Sequence, residues 1–248
     1  NLRSSHTQIT LRGGGILFPL AVVLGLGMGY VSWFFAVAVV LVATVSFIDD
    51  IRPLSQLPRL LAHVVAIGLV MYDLEIIIIG WWWLPVVAIL LIGWTNAFNF
   101  MDGINGMTGL YSLVTLSSLL YINQRVFEFV DQNFIIYPIL ASIVFLFFNF
   151  RKKAKCFMGD IGSMGISFWV LGLLGLLIIK TQELKYLLFL TVYGVEVVLT
   201  ILERLILKEN IFEAHRRHLY QLFSNEKKIS HLIVSSVYAF LQLSTMFS

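Results

Sequence analysis

Residues 33–48 read WFFAVAVVLVATVSFI, a stretch with no charge and no alternation of apolar and polar side chains. A strand of an outer-membrane barrel alternates over about ten residues, so this is helical sequence. A soluble domain carries about 25% charged residues, whereas this chain of 248 residues is 12% charged and 59% hydrophobic. A membrane helix needs roughly 20 mostly apolar residues, within about 17–25, and the stretch meets that. It then ends in two adjacent aspartates, Asp49 and Asp50, where a simple turn would suffice.

Outward from it, apolar runs recur near 14–31, 32–48, 60–79, 84–101, 106–122, 133–150, 163–179, 186–202 and 232–247. These predict an all-α, polytopic membrane bundle of about nine transmembrane helices, one domain over 1–248. Charge orients it. With the N-terminus, 49–59, 94–105, 151–162 and 203–231 on one side, that side holds 14 of the 17 Lys and Arg. Only Arg125, Lys180 and Lys185 remain opposite, so the basic side is expected to be cytoplasmic. A net charge of +3 therefore says nothing of nucleic acid; the basic residues face anionic lipids and any anionic substrate. The only cysteine, Cys156, falls on the reducing side and rules out a disulfide or zinc framework. Trp81, Trp82 and Trp83 read as an interfacial anchor. Residues 207–230, with Ile211, Phe212, Leu219 and Leu222, read as an amphipathic surface helix.

The acids sort by depth. Asp49 and Asp50 end one span, Asp102 lies in NAFNFMDGINGM (96–107), and Asp160 lies in CFMGDIGSM (156–164), all on the basic side. Helix ends attract polar residues anyway, but four carboxylates at one level repel each other unless a cation joins them. Few oxygen ligands open to water suit Mg²⁺ bound together with a phosphate substrate. Glycines beside Asp102 and Asp160 let backbone approach a ligand closely. A second cluster, HRRHLYQ (215–221), sets His215, Arg216 and His218 within about a helical turn. Arginine grips phosphate oxygens in pairs and histidine can donate a bond or exchange a proton. An anion site, an interfacial cationic face and a metal site all stay open there.

In that order and on that side, FIDD (47–50), NAFNFMDGING, CFMGDIGSM and NIFEAHRRHLYQ (210–221) resemble the polyprenyl-phosphate N-acetylhexosamine-1-phosphate transferases, glycosyltransferase family 4. RSSHTQITLRGGG (3–15) is similar to the N-terminal loop of the O-antigen-initiating branch. The resemblance implies transfer of a sugar 1-phosphate, N-acetylglucosamine 1-phosphate by default, from a UDP-N-acetylhexosamine to undecaprenyl phosphate. It implies Mg²⁺ (or Mn²⁺), release of UMP, and a multi-pass protein of the bacterial inner membrane with cytoplasmic active-site loops. Carried over by motif, Asp49, Asp50, Asp102 and Asp160 are catalytic, with Asp160 and Asp102 on the metal. Arg12, Asn99, Asn105, Phe157, His215, Arg216 and His218 bind substrate, Phe157 by stacking on uracil.

Several positions depart from the family pattern: Asn105 stands for a second aspartate, Ile9 and Leu11 for prolines, and Glu196 for an aspartate. NFRKKAKCFMGD (149–160) lacks a proline and is one residue longer. Members usually have ten or eleven helices, so a first span, and a last one, are expected outside this chain. HRRH in place of three histidines argues against phospho-N-acetylmuramoyl-pentapeptide transfer, the alternative within the family. A transporter of an anionic solute is the alternative of another class, but its ionisable residues belong near the midplane of two repeats. The sequence leaves the oligomeric state open, a homodimer included.

Overall fold

The computed structural model describes residues 10–76, 82–210 and 216–246. Arg3, His6, Ile9, Trp81, Ile211, Phe212 and His215 lie outside the described residues. Helices α1 (Leu17–Gly27), α2 (Trp33–Ile51), α3 (Gln56–Asp73), α4 (Leu84–Met101), α5 (Met107–Arg125), α6 (Gln132–Asn149), α7 (Gly159–Thr181) and α8 (Thr191–Ile206) follow in order. A single turn, α9 (Leu219–Gln221), and α10 (His231–Met246) complete the described chain. Two short parallel strands, β1 (Leu11–Arg12) and β2 (Cys156–Phe157), pair Leu11 with Cys156 and Arg12 with Phe157.

Each expected apolar run is a helix, so the chain is a polytopic helical membrane protein. Helices α2, α4, α6, α7 and the continuous stretch Leu184–Ile206 are long and apolar enough to cross a bilayer. Of the expected surface helix over 207–230, the described residues hold α9, which runs into one π-helical turn, Leu222–Glu226. Trp82 and Trp83 are exposed, as an interfacial anchor requires.

Helix α7 is the centre of the bundle and packs against α1, α2, α4, α5 and α6. Lipid chains are as apolar as leucine, so membrane helices associate through close packing, and small residues allow it. Gly172 lies under the ring of Phe35, Gly165 against Phe18 and Pro19, and Gly162 so close to Gly15 that a Cβ on either would overlap the other. Trp169, Phe35 and Phe134 form an aromatic knot with centroids 4.8 to 5.4 Å apart. Such pairs contribute about 0.5–1.5 kcal/mol each beyond burial.

Long-range bonds mark the two ends. At one, Ser32 Oγ donates to Asp73 (2.6 Å), Asn123 holds the backbone of Phe129 and Val130, and Lys180 Nζ donates to the Phe129 carbonyl (2.7 Å). At the other, β1, the C-terminal ends of α2, α4 and α6 and the N-terminal ends of α5, α7 and α10 converge. All four aspartates lie at that second end.

Candidate active site

The second end holds a cleft of about 640 Å³, lined by Asp49, Asp50, Asp102 and Asp160 together with Arg12 and Arg59. Asn99, Asn149 and Phe157 complete the polar and aromatic wall. Three helix termini thus carry the acids.

The adjacent aspartates have separate duties. Asp49 closes the α2–α3 corner: one carboxylate oxygen accepts the Leu54 N–H (2.7 Å), and the other lies 3.2 Å from Arg59 Nη1. Asp50 reaches across the bundle, and its Oδ2 accepts the N–H of Asp160 (2.9 Å), capping α7 from a different helix. A helix N-terminus favours a carboxylate because its first N–H groups lack partners. Arg12, delivered by the β1–β2 pairing, stands 4.0 Å from the other Asp50 oxygen. Gly159 makes this approach feasible. Its φ of 72° suits glycine, and a Cβ there would meet Asp50 Oδ2 at 2.8 Å.

Asp102 follows the last turn of α4 and is half-buried in the wall. Burial, then the nearby charges of Asp160 and Asp50, push its carboxyl up to about 7. Among the described residues no Lys or Arg pairs with Asp102 or Asp160. A concentration of negative charge without its own cation suits a divalent ion. Among the described residues no three His, Cys, Asp or Glu side chains form a ready-made metal cage. Mg²⁺ does not need one, since it is commonly held by one or two carboxylates and the oxygens of a substrate phosphate. Asp102 and Asp160 fit that pattern.

The other expected residues divide. Asn99 lines the cleft and donates to Ser163 Oγ on α7 (2.9 Å); Phe157 lines it beside Met158. Asn105 does not line it: the side chain is 2% exposed and donates to the Arg151 carbonyl (2.7 Å). His218 is also buried, with Nδ1 3.3 Å from the Thr200 hydroxyl, and Arg216 is exposed outside the cleft wall.

Sequence reasoning missed Arg59 and Asn149 as site residues. Asn149 accepts the Gly106 N–H (2.6 Å) and donates to the Cys156 carbonyl (2.8 Å), tying the start of α5 to β2. In the sequence Arg59 reads only as an orienting charge. Its place nine residues after Asp50, on the next helix, was the available signal.

An acid-lined, arginine-flanked cleft thus stands at one end of a polytopic helical bundle. Residues 32–179 match glycosyl transferase family 4, and the chain belongs to that family. It is 30% identical over 193 residues to a probable undecaprenyl-phosphate N-acetylglucosaminyl 1-phosphate transferase of Bacillus subtilis, covering 70% of this chain and 54% of that protein. It is 31% identical over 155 residues to the phospho-N-acetylmuramoyl-pentapeptide-transferase of Thermotoga neapolitana, covering 60% and 49%. The enzyme of the same name from Streptococcus suis is 35% identical over 124 residues, covering 48% and 34%. The chain spans about half the length of the first two relatives.

Proposed function

We propose that this protein transfers an N-acetylhexosamine 1-phosphate, GlcNAc-1-phosphate by preference, from a UDP-sugar to undecaprenyl phosphate at the cytoplasmic face of the bacterial inner membrane. The reading places it at the first step of O-antigen or another surface polysaccharide. The observation that carries it is the meeting of Asp50, Asp102 and Asp160 from three helices with Arg12 and Arg59 in one cleft at the basic end of the bundle. The relatives supply the substrate classes: one is named for undecaprenyl phosphate and N-acetylglucosaminyl 1-phosphate.

In this reaction an oxygen of the lipid phosphate attacks the phosphorus that carries the sugar. The bond from that phosphorus to the bridging oxygen breaks, and UMP leaves with the electron pair. Phosphoryl transfer asks a protein mainly for positioning and charge neutralisation. A phosphate monoester has its second pKa near 6, so the lipid phosphate is largely a dianion at neutral pH and needs no strong base. Arg59 and Arg12, which rest on Asp49 and Asp50, are placed to exchange those carboxylates for phosphate oxygens, and Asp49 orients the acceptor. Phe157 offers a ring for the uracil. Asp102 and Asp160 would hold Mg²⁺, whose charge would offset that of the diphosphate and of departing UMP.

The second reading is phospho-N-acetylmuramoyl-pentapeptide transfer, favoured by relatives of that name at 31–35% identity. A panel of UDP-N-acetylhexosamines and UDP-N-acetylmuramoyl-pentapeptide, offered with undecaprenyl phosphate and Mg²⁺, separates the two by which sugar enters the lipid phase. Uptake of a solute without UMP release would replace both with transport.

A further inference from the structure

One face of α8 carries Glu196, Thr200 and Arg204 at successive helical turns, and all three are buried, at 7%, 5% and 3% exposure. Polar groups buried within a membrane bundle are costly unless bonded. These three bond to the chain that follows α8. Arg204 donates to the Asn210 carbonyl (2.5 Å) and pairs with Glu209 (3.3 Å). The Thr200 hydroxyl meets His218 Nδ1 at 3.3 Å. Glu196 Oε1 accepts the Tyr220 N–H (3.2 Å) and lies 4.0 Å from His218 Nδ1. The ladder therefore grips both flanks of residues 211–215.

Tyr220 carries the grip onward. It is fully buried, stacked on His218, and its hydroxyl donates to the Phe100 carbonyl at 2.8 Å. Phe100 precedes Asp102 by two residues, and the tyrosine ring closes over Gly103, leaving no room for a Cβ there. Neither Glu196 nor Tyr220 lines the cleft.

We infer that Glu196 and Tyr220 are positioning residues for the turn that bears Asp102. The α8 ladder sets Tyr220, and its hydroxyl fixes the end of α4 and so the carboxylate beyond it. The Tyr220 end of HRRHLYQ is then a strut between α8 and α4, not an anion contact. This rests on the reading of the cleft as a divalent-cation transferase site. Removing an outer-shell partner that orients a metal ligand typically costs 10–100-fold in metal affinity.

The test is Mn²⁺ binding to the purified protein, read by electron paramagnetic resonance without substrate, beside the Mg²⁺ dependence of UMP release. Tyr220→Phe keeps the ring and removes one hydroxyl. It is expected to weaken Mn²⁺ binding about tenfold and to raise half-saturating Mg²⁺ by the same factor, with the donor KM unchanged at saturating Mg²⁺. Glu196→Ala is expected to do likewise, and Glu196→Gln, which keeps an acceptor for the Tyr220 N–H, to restore binding. Unchanged Mn²⁺ affinity in Tyr220→Phe and Glu196→Ala overturns the proposal. So does a loss of kcat and melting temperature with cation dependence intact, which marks a merely structural role. Wild-type protein that binds Mn²⁺ but transfers no phosphosugar would sink the transferase reading alone, because the variants still decide the positioning claim. If wild-type protein binds no Mn²⁺ without substrate, the Mg²⁺ dependence of UMP release decides, and unchanged half-saturating Mg²⁺ in both variants overturns the proposal.

Discussion

Asp49 and Asp50 are neighbours in sequence but face different partners, one closing the α2–α3 corner on Arg59 and the other capping α7 at Asp160. Part of what the pair does is therefore structural, and their substitution mixes folding with chemistry. Asp160 gives a cleaner test. Asp160→Asn should reduce transfer at least about 100-fold, the upper end of what losing even an outer-shell partner costs, with the melting temperature near wild type. Arg59→Ala should raise the KM for the lipid phosphate about tenfold or more, given about 1.5–3 kcal/mol for a hydrogen bond to a charged group; steady-state kinetics against acceptor concentration measures it. Asp102 sets a pH dependence. Its carboxyl titrates near 7 in the fold, against about 3.9 unfolded, so the folded state holds the extra proton between those values. With divalent cation removed, this group makes the fold less stable as pH rises from about 4 to about 7, and no further above that. Cation binding needs the carboxylate and should strengthen over the same rise, so Mg²⁺ should raise the melting temperature more at pH 8 than at pH 6. Of these residues the acids were legible from their level in the membrane. Arg59 was not, because a charge at a helix start also satisfies the orientation rule.

At the scale of elements, helix existence followed from apolar length, while the ends moved and the run 186–202 divides into a 3-10 helix, Leu184–Leu190, and α8. Helix α4 spans the expected 84–101, whereas α3 begins at Gln56, four residues before the apolar run, because a polar first turn still forms helix when its flank is the cleft wall. The β1–β2 pairing was not legible. It joins two-residue strands 145 positions apart, too short for any period to show, yet it brings Arg12 to Asp50. The buried His218 was also hidden, since HRRH reads as a cationic patch until Thr200 and Glu196 are placed beside it. The tight junction of α7 with the chain before α1 predicts that Gly159→Ala, strained at φ 72° and pressed on Asp50, is destabilising by about 1–3 kcal/mol. It should also lower activity by displacing the Asp50 cap, which thermal unfolding and UMP release on the same preparation would register together. Preserved activity and stability in Gly159→Ala would show that the cap is dispensable.

For the whole molecule, the distribution of Lys and Arg and the gathering of the aspartates at one end are a single statement about sidedness. Cys156, the only cysteine, is half-buried beside the cleft on β2. A membrane-impermeant maleimide should label it in inverted vesicles and not in intact spheroplasts. Mildly alkaline pH is needed because burial raises the thiol pKa. Labelling from outside would reverse the orientation and with it the source of the UDP-sugar. The measurement that bears most directly on the central claim is UMP release from UDP-GlcNAc by membranes carrying the protein, with and without undecaprenyl phosphate, Mg²⁺ and Asp160. Release should need all three and match the sugar phosphate entering lipid. UMP released without acceptor, leaving phosphosugar bound to the protein, or release that survives Asp160→Asn, would contradict that claim.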